Sequence, residues 1–210
     1  MTFKKKWDNY WYHYKWHTLG LIFFILLAAV LIHSCAAKKE PDLYAVYLSD
    51  SYMLDKDIEK LKTDFIKNGA VGDVDGDGEK VMVFEHLVSD FQVDGFTDES
   101  TAQKMQTVMH GDEHTLMLMH KFALEDYDGH FEDISDKVKD GDEVFKSPSE
   151  KFVTGISLKG NKLLESYGMD TENLYVAIRR RTEKEKEAGK DKEYFDQAYK
   201  TMEYILSHQR

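Results

Sequence analysis

Cysteine is almost missing from this chain: 210 residues hold one, Cys35, so no intrachain disulfide can form and no thiolate zinc cluster can be assembled within one copy. Proline is nearly as scarce, with two residues, which leaves little for a proline-rich linker. There is no Gly-x-Ser-x-Gly elbow, and the sole thiol lies beside an apolar run. The usual nucleophile signatures are therefore missing, and no enzymatic activity is expected. Positive charge is in deficit: 28 Lys and Arg face 39 Asp and Glu, a formal charge of −11. The deficit is uneven. Residues 1 to 37 hold four Lys and one Asp, so the remainder carries 24 basic and 38 acidic side chains, a balance of −14. Such a surface repels nucleic acid, which needs clustered cations to displace phosphate counterions. At 42% apolar residues the chain is also no disordered acidic tail.

The N-terminus reads as charge, interface belt and hydrocarbon span in order. Lys4, Lys5 and Lys6 precede the aromatics Trp7, Tyr10, Trp11, Tyr12, Tyr14 and Trp16, and then comes the apolar run Leu19 to Ile32. That run alone makes about 21 Å of helix, short for a span. Extended from Thr18 to Ala37 it reaches about 30 Å, the thickness of a bilayer core. Lysines ahead of the span place the N-terminus in the cytoplasm and residues 38 to 210 outside. Two alternatives stand beside this single-pass anchor. Ser34, Ala36 and Ala37 are small residues of the kind cleavage sites use, but the long aromatic lead-in is unlike a signal peptide. Cys35 sits where a lipoprotein cysteine would, yet Ile32-His33-Ser34 departs from the Leu, small, small pattern that precedes one. The expected organisation is a cytoplasmic segment 1–17, an anchor 18–37 in the cell membrane, a spacer 38–42 and an extracytoplasmic domain 43–210.

Within that domain strands and helices alternate. Leu43 to Leu48 is rich in strand formers. Asp55 looks like an N-cap, followed by Ile58, Leu61, Phe65 and Ile66 at helical spacing, with Gly69 as the stop. Val81 to Val88 is a second strand, and Ser100 to His110 a helix with Ala102, Met105, Val108 and Met109 on one face. Thr115 to Met119 is a third strand, running on into Phe122 to Tyr127. Phe152 to Leu158 and Leu174 to Arg179 read as two more, around a short helix at Lys162 to Tyr167. The last element, about Glu193 to His208, carries an apolar stripe of Phe195, Ala198, Met202, Ile205 and Leu206. The alternation predicts an α/β fold, a mixed or mainly parallel sheet flanked by helices and preceded by one transmembrane helix.

The motif with most chemical content is Asp73-Val74-Asp75-Gly76-Asp77-Gly78-Glu79. Carboxylates at alternate positions followed by glycine match the first half of an EF-hand-type loop, in which acidic oxygens converge on a hard cation. The expected calcium ligands are Asp73, Asp75, Asp77 and the carbonyl of Glu79. The second half departs from the pattern, because Phe84 stands where the bidentate acid belongs. An Asp/Gly-rich turn leading into a strand is the alternative that needs no metal. His110, Asp112, Glu113 and His114 form another cluster, but their order is not the His-Glu-x-x-His of zincins, and polar loop residues are the simpler account. Gly155 to Lys162 has the flavour of a phosphate loop without Walker spacing. Arg179-Arg180-Arg181 reads as self-paired surface, and Met105, Met109, Met117 and Met119 as packing.

Two resemblances follow from these residues. The aromatic lead-in Tyr14-Lys15-Trp16-His17, the single span and the domain behind it resemble a group of uncharacterised single-span membrane proteins of Gram-positive bacteria. Residues 43 to 135 are similar to the first lobe of the extracellular solute-binding proteins of ABC transporters. That second likeness is carried by Met105 to Met109, Gly111, Leu116-Met117-Leu118-Met119 and Gly129-His130-Phe131-Glu132-Asp133-Ile134. Solute-binding proteins trap their ligand between two lobes, and the chain after Ile134 is too short for a full second lobe, so no ligand residues transfer. The expected function is a non-enzymatic, membrane-anchored binding module for an envelope component or protein partner. The alternative is a calcium-stabilised structural or adhesion module.

Overall fold

A computed structural model describes residues 2–36, 40–89, 99–111, 114–182 and 191–209. The chain divides into two compact units, Met1–Glu40 and Pro41–Arg210. The first is built on α1, Phe3–Ala36, 34 residues and so about 51 Å long. Its stretch Tyr10–Leu31 is long and apolar enough to cross a membrane. That stretch begins earlier than the sequence reading placed it, because no proline separates the aromatic belt from the apolar run and one helix takes in both. Rings four residues apart stack along it, Trp7 on Trp11 at 6.3 Å and Tyr10 on Tyr14 at 5.4 Å. The side chain of Cys35, on which the lipoprotein alternative turns, and residues 37–39 lie outside the described residues.

The second unit is an α/β domain. Its elements are β1 (Leu43–Ser49), α2 (Asp55–Lys67), β2 (Met82–Val88), α3 (Glu99–His110), β3 (Leu116–His120), α4 (Lys121–Asp126), β4 (Val144–Lys146), β5 (Val153–Ser157), α5 (Lys162–Glu165), β6 (Leu174–Ile178) and α6 (Asp191–Ser207). The six strands form one mixed sheet in the order β2-β1-β3-β6-β5-β4. β1 pairs parallel with β2 and with β3, while β6, β5 and β4 complete the sheet through antiparallel pairs. The inner strands read as near-continuous apolar runs because both of their faces are covered. In β1, Leu43, Ala45 and Tyr47 enter one core with Leu61 and Phe65 of α2 and Phe195, Ala198 and Met202 of α6. Val46 and Leu48 point the other way, into a methionine-rich core with Met105 and Met109 of α3 and Leu124 of α4.

Local chemistry explains where the elements begin and end. Gly69 at φ 75° follows the C-cap of α2, and Ala70 N–H returns to the Phe65 carbonyl at 2.9 Å, as the left-handed cap requires. The N-cap is Leu54 rather than Asp55, and its side chain makes no capping bond. Asp55 and Asp57 lie in the first turn, where the positive end of the helix favours them. The glycine-rich passage before Lys162 is a helix start and no phosphate loop: Asn161 Oδ1 accepts the Leu164 N–H at 3.1 Å, while its Nδ2 donates to the Ile205 carbonyl of α6. β4 was not foreseen, because three residues amid charges and ahead of Pro148 carry too little strand signal. It is held by pairing with β5, where Gly155 lets Leu124 come close: a Cβ there would meet the Leu124 Cδ1 at 2.8 Å.

Candidate functional sites at the two edges of the sheet

The parallel pairing of β1 and β2 starts at Leu43↔Met82, which sets Asp42 beside the loop that leads into β2. From the sequence Asp42 read as the last residue of a spacer. It is instead only 1% exposed. Its Oδ1 accepts the Val74 N–H at 2.5 Å, and its Oδ2 accepts the Val81 N–H at 2.7 Å. The loop closes on its own carboxylates in the same way. Asp73 accepts from the N–H groups of Gly76 and Gly78 at 2.8 and 3.0 Å, Asp75 from Asp77 at 3.1 Å, and Asp77 from Glu79 at 2.7 Å. Gly76 and Gly78 have φ of 76° and 86°, where side chains with a Cβ are strained. From α6, Gln197 Oε1 accepts the Gly72 N–H at 3.0 Å, while Gln197 Nε2 and the Thr201 hydroxyl both donate to the Ala70 carbonyl, at 2.6 and 2.8 Å.

This folding brings together oxygens of Asp42, Asp73 and Asp75, all within 4.8 Å of one another. Of the four ligands expected from sequence, Asp73 and Asp75 stand in this group. The Asp77 carboxylate is not in it; it accepts the Glu79 N–H instead. Asp42 is the member that sequence reading missed, because only the β1–β2 register reveals it. The carboxylates keep lone pairs beyond those given to N–H groups, so the triad can hold a hard cation through oxygen. Its electrostatics show the cost of three acids together. The Asp77 N–H alone would lower the Asp75 carboxyl, but desolvation and the charges of Asp77, Asp42 and Asp73 outweigh it and leave Asp75 above the ordinary carboxylate range.

At the opposite edge the parallel strands deliver their C-terminal ends. β1 is followed by α2 on one face of the sheet and β3 by α4 on the other, so the chain parts at the β1/β3 junction, the place where open α/β sheets form a crevice. A recess of ≈ 20 Å³ lies there, lined by Ser49, Asp50, His120, Asp170 and Asn173 among others. That is room for one water-sized group. Ser49 is buried, donates to the Ser51 carbonyl at 2.8 Å and lies 3.1 Å from His86 Nε2. Because the hydroxyl spends its proton on that carbonyl, His86 faces Ser49 as a donor, and the pair is not set up as nucleophile and base. The His86 ring stacks on Tyr47 at 4.8 Å, with the exposed Tyr52 ring 6.2 Å away. Burial depresses both imidazoles. For His86 it outweighs a bond with the Ser51 backbone, and for His120 it outweighs the charges of Asp50, Asp170 and Glu125. The hydroxyls of Tyr47 and of Ser89, the residue after β2, are buried with no hydrogen-bond partner among the described residues.

The remaining motifs resolve into structure. His114 pairs with Glu85 at 3.2 Å rather than with His110, and Asp112 and Glu113 lie outside the described residues. Arg179 is buried and donates through Nε to the His114 carbonyl at 2.7 Å. Arg180 pairs with Glu150, and Arg181 with Glu132 at 3.3 Å. An open groove of ≈ 470 Å³ along α6 includes Arg181, Lys137 and Glu203 in its wall, but Lys137 and Glu203 pair at 2.8 Å, so much of its charge is internally compensated. No protein-family model, curated protein or solved structure matches the chain.

Proposed function

We propose that this chain is a single-pass membrane protein with its N-terminus in the cytoplasm, whose domain outside the cell is a non-enzymatic binding module. The ligand seat is the recess at the carboxyl edge, and its ligand carries an ammonium group. The observation that carries the reading is that recess: a water-sized space at the β1/β3 junction, walled by Ser49, Asp50, His120, Asp170 and Asn173. An ammonium head is water-sized and donates hydrogen bonds, and the wall offers two carboxylates to receive it. The test is a thermal melt of the full chain in detergent against a panel of primary amines, amino acids and amine-bearing envelope sugars. At a hundredfold excess over Kd a specific ligand stabilises by about 2.7 kcal/mol. That shift should be lost in the double variant Asp50→Asn, Asp170→Asn. A panel without any stabilising amine, or a shift that survives in the double variant, overturns the reading.

A second reading is favoured by a separate observation, the convergence of Asp42, Asp73 and Asp75. In it calcium bridges the start of β1 to the loop before β2 and stiffens a structural or adhesion module of the envelope. Melting the same protein in excess calcium and in chelator tests it, with Asp75→Ala as the control. An upward shift that the variant abolishes supports the site, and equal melts in the two buffers remove it.

A further inference from the structure

His110 is the last residue of α3 and is exposed, while His130 sits half-buried in the turn after α4. Their ring centroids are 5.5 Å apart with the planes at 64°. Each ring is fixed the same way: His110 Nδ1 is 2.9 Å from the Gln106 carbonyl, and His130 Nδ1 is 3.2 Å from the Tyr127 carbonyl. A carbonyl can only accept, so in both neutral rings the proton is on Nδ1 and the Nε2 lone pair is bare. Among the described residues neither Nε2 has a hydrogen-bond partner.

We infer that His110 and His130 form a two-imidazole site for a borderline divalent cation, zinc or copper, through their Nε2 atoms. Three independent features agree. With Zn–N near 2.1 Å and tetrahedral angles, two imidazoles sharing one ion hold their centroids roughly 5 Å apart, close to the 5.5 Å found. An Nδ1–H bound to a backbone carbonyl is the usual outer contact of a metal-ligating histidine, since it fixes the tautomer and turns the ring. The ion would also sit at the C-terminal end of α3, where the helix presents its negative pole. Neutral nitrogen ligands select zinc and copper over calcium and magnesium, so this site and the carboxylate triad draw on different ions. Bound metal would clip the end of α3 to the Tyr127–His130 turn, whose far side is held by the Arg180 N–H donating to the His130 carbonyl at 2.8 Å.

The experiment is calorimetric titration of the full chain in detergent with zinc chloride at pH 7.5, calcium being present in excess to occupy the acidic loop. One zinc per chain should bind, and affinity should fall at least tenfold in His110→Ala and in His130→Ala. His114→Ala and His120→Ala should leave it unchanged. Copper should bind more tightly than zinc. Circular dichroism confirms that the variants are folded. In case His130→Ala is not, the nitrogen NMR shifts of the histidines of the unaltered protein give a second readout, with the Nε2 signals of His110 and His130 moving together on adding zinc. Absence of zinc binding, or equal affinity in the two alanine variants and the parent, overturns the assignment.

Discussion

The two ends of the same three parallel strands are built on opposite principles. At the amino edge, the carboxylates of Asp42, Asp73, Asp75 and Asp77 each receive at least one backbone N–H. The loop meets its own backbone demand from within, and what accumulates is negative charge. At the carboxyl edge, polar capacity is left over: among the described residues the buried hydroxyls of Tyr47 and Ser89 have no partner, while burial pushes the imidazoles of His86 and His120 below their ordinary range. The difference separates polar groups that hold a fold together from polar groups that a fold holds in reserve. Hydrogen bonds already made inside the chain stabilise it, whereas unmade ones in a buried setting cost energy until something arrives to complete them.

This contrast is best attacked at Asp42. Asp42→Ala strips partners from the Val74 and Val81 N–H groups at once, and losing two such bonds costs about 2 kcal/mol or more. A thermal melt of the full chain should drop by roughly 4–8 °C, at the usual few degrees per kcal/mol for a domain of this size. Ser49→Ala at the other edge removes two bonds between neutral groups, to the Ser51 carbonyl and from His86, and should cost about 1.5 kcal/mol, less than the loss of the two bonds to the Asp42 carboxylate. Equal losses in the two variants would erase the distinction drawn here.

Acid comes next in expected size. His86 and His120 have folded pKa values below their unfolded ones, so the unfolded chain binds more protons. Their contribution is therefore fully present above about pH 6.5 and is lost as pH falls toward the folded values. Melts between pH 8 and pH 5 should show this decline, and His86→Gln should flatten part of it.

The smallest effects belong to the outer part of the acidic loop. Asp77→Asn keeps an acceptor for the Glu79 N–H and should shift stability by no more than about 0.5 kcal/mol. It should leave any response to calcium intact, whereas Asp75→Ala abolishes it. A calcium response lost in Asp77→Asn would redraw the triad.

How much of this was legible in the sequence depends on the range over which each feature is encoded. α2, α3 and α6 could be read because their apolar spacing repeats over several turns, and β1, β3 and β6 because buried parallel and central strands are continuous apolar runs. Gly69 announced the end of α2 through its own backbone freedom. By contrast Asp42 is indistinguishable from any charged residue in a spacer until the register with β2 is known. The same holds for His110, whose neighbours in sequence suggested His114, while the turn at Gly129 supplied His130. The strand order 2-1-3 that opens the carboxyl edge is likewise written in no local pattern. Sequence periodicity finds elements, but sites here arise from pairings between elements far apart in the chain.

One such pairing also orders events in time. Gln197 and Thr201 of α6 hold the Ala70 carbonyl across separations of 127 and 131 residues, and Asn161 reaches the Ile205 carbonyl of the same helix. At ribosomal rates of about 5–20 residues per second, those partners are synthesised many seconds after the strands they cover. Until α6 emerges, the β1 face that bears Leu43, Ala45 and Tyr47 lacks the part of its cover that Phe195, Ala198 and Met202 supply. A truncation before residue 191 should therefore yield a product that proteases and aggregation claim rather than a smaller stable domain.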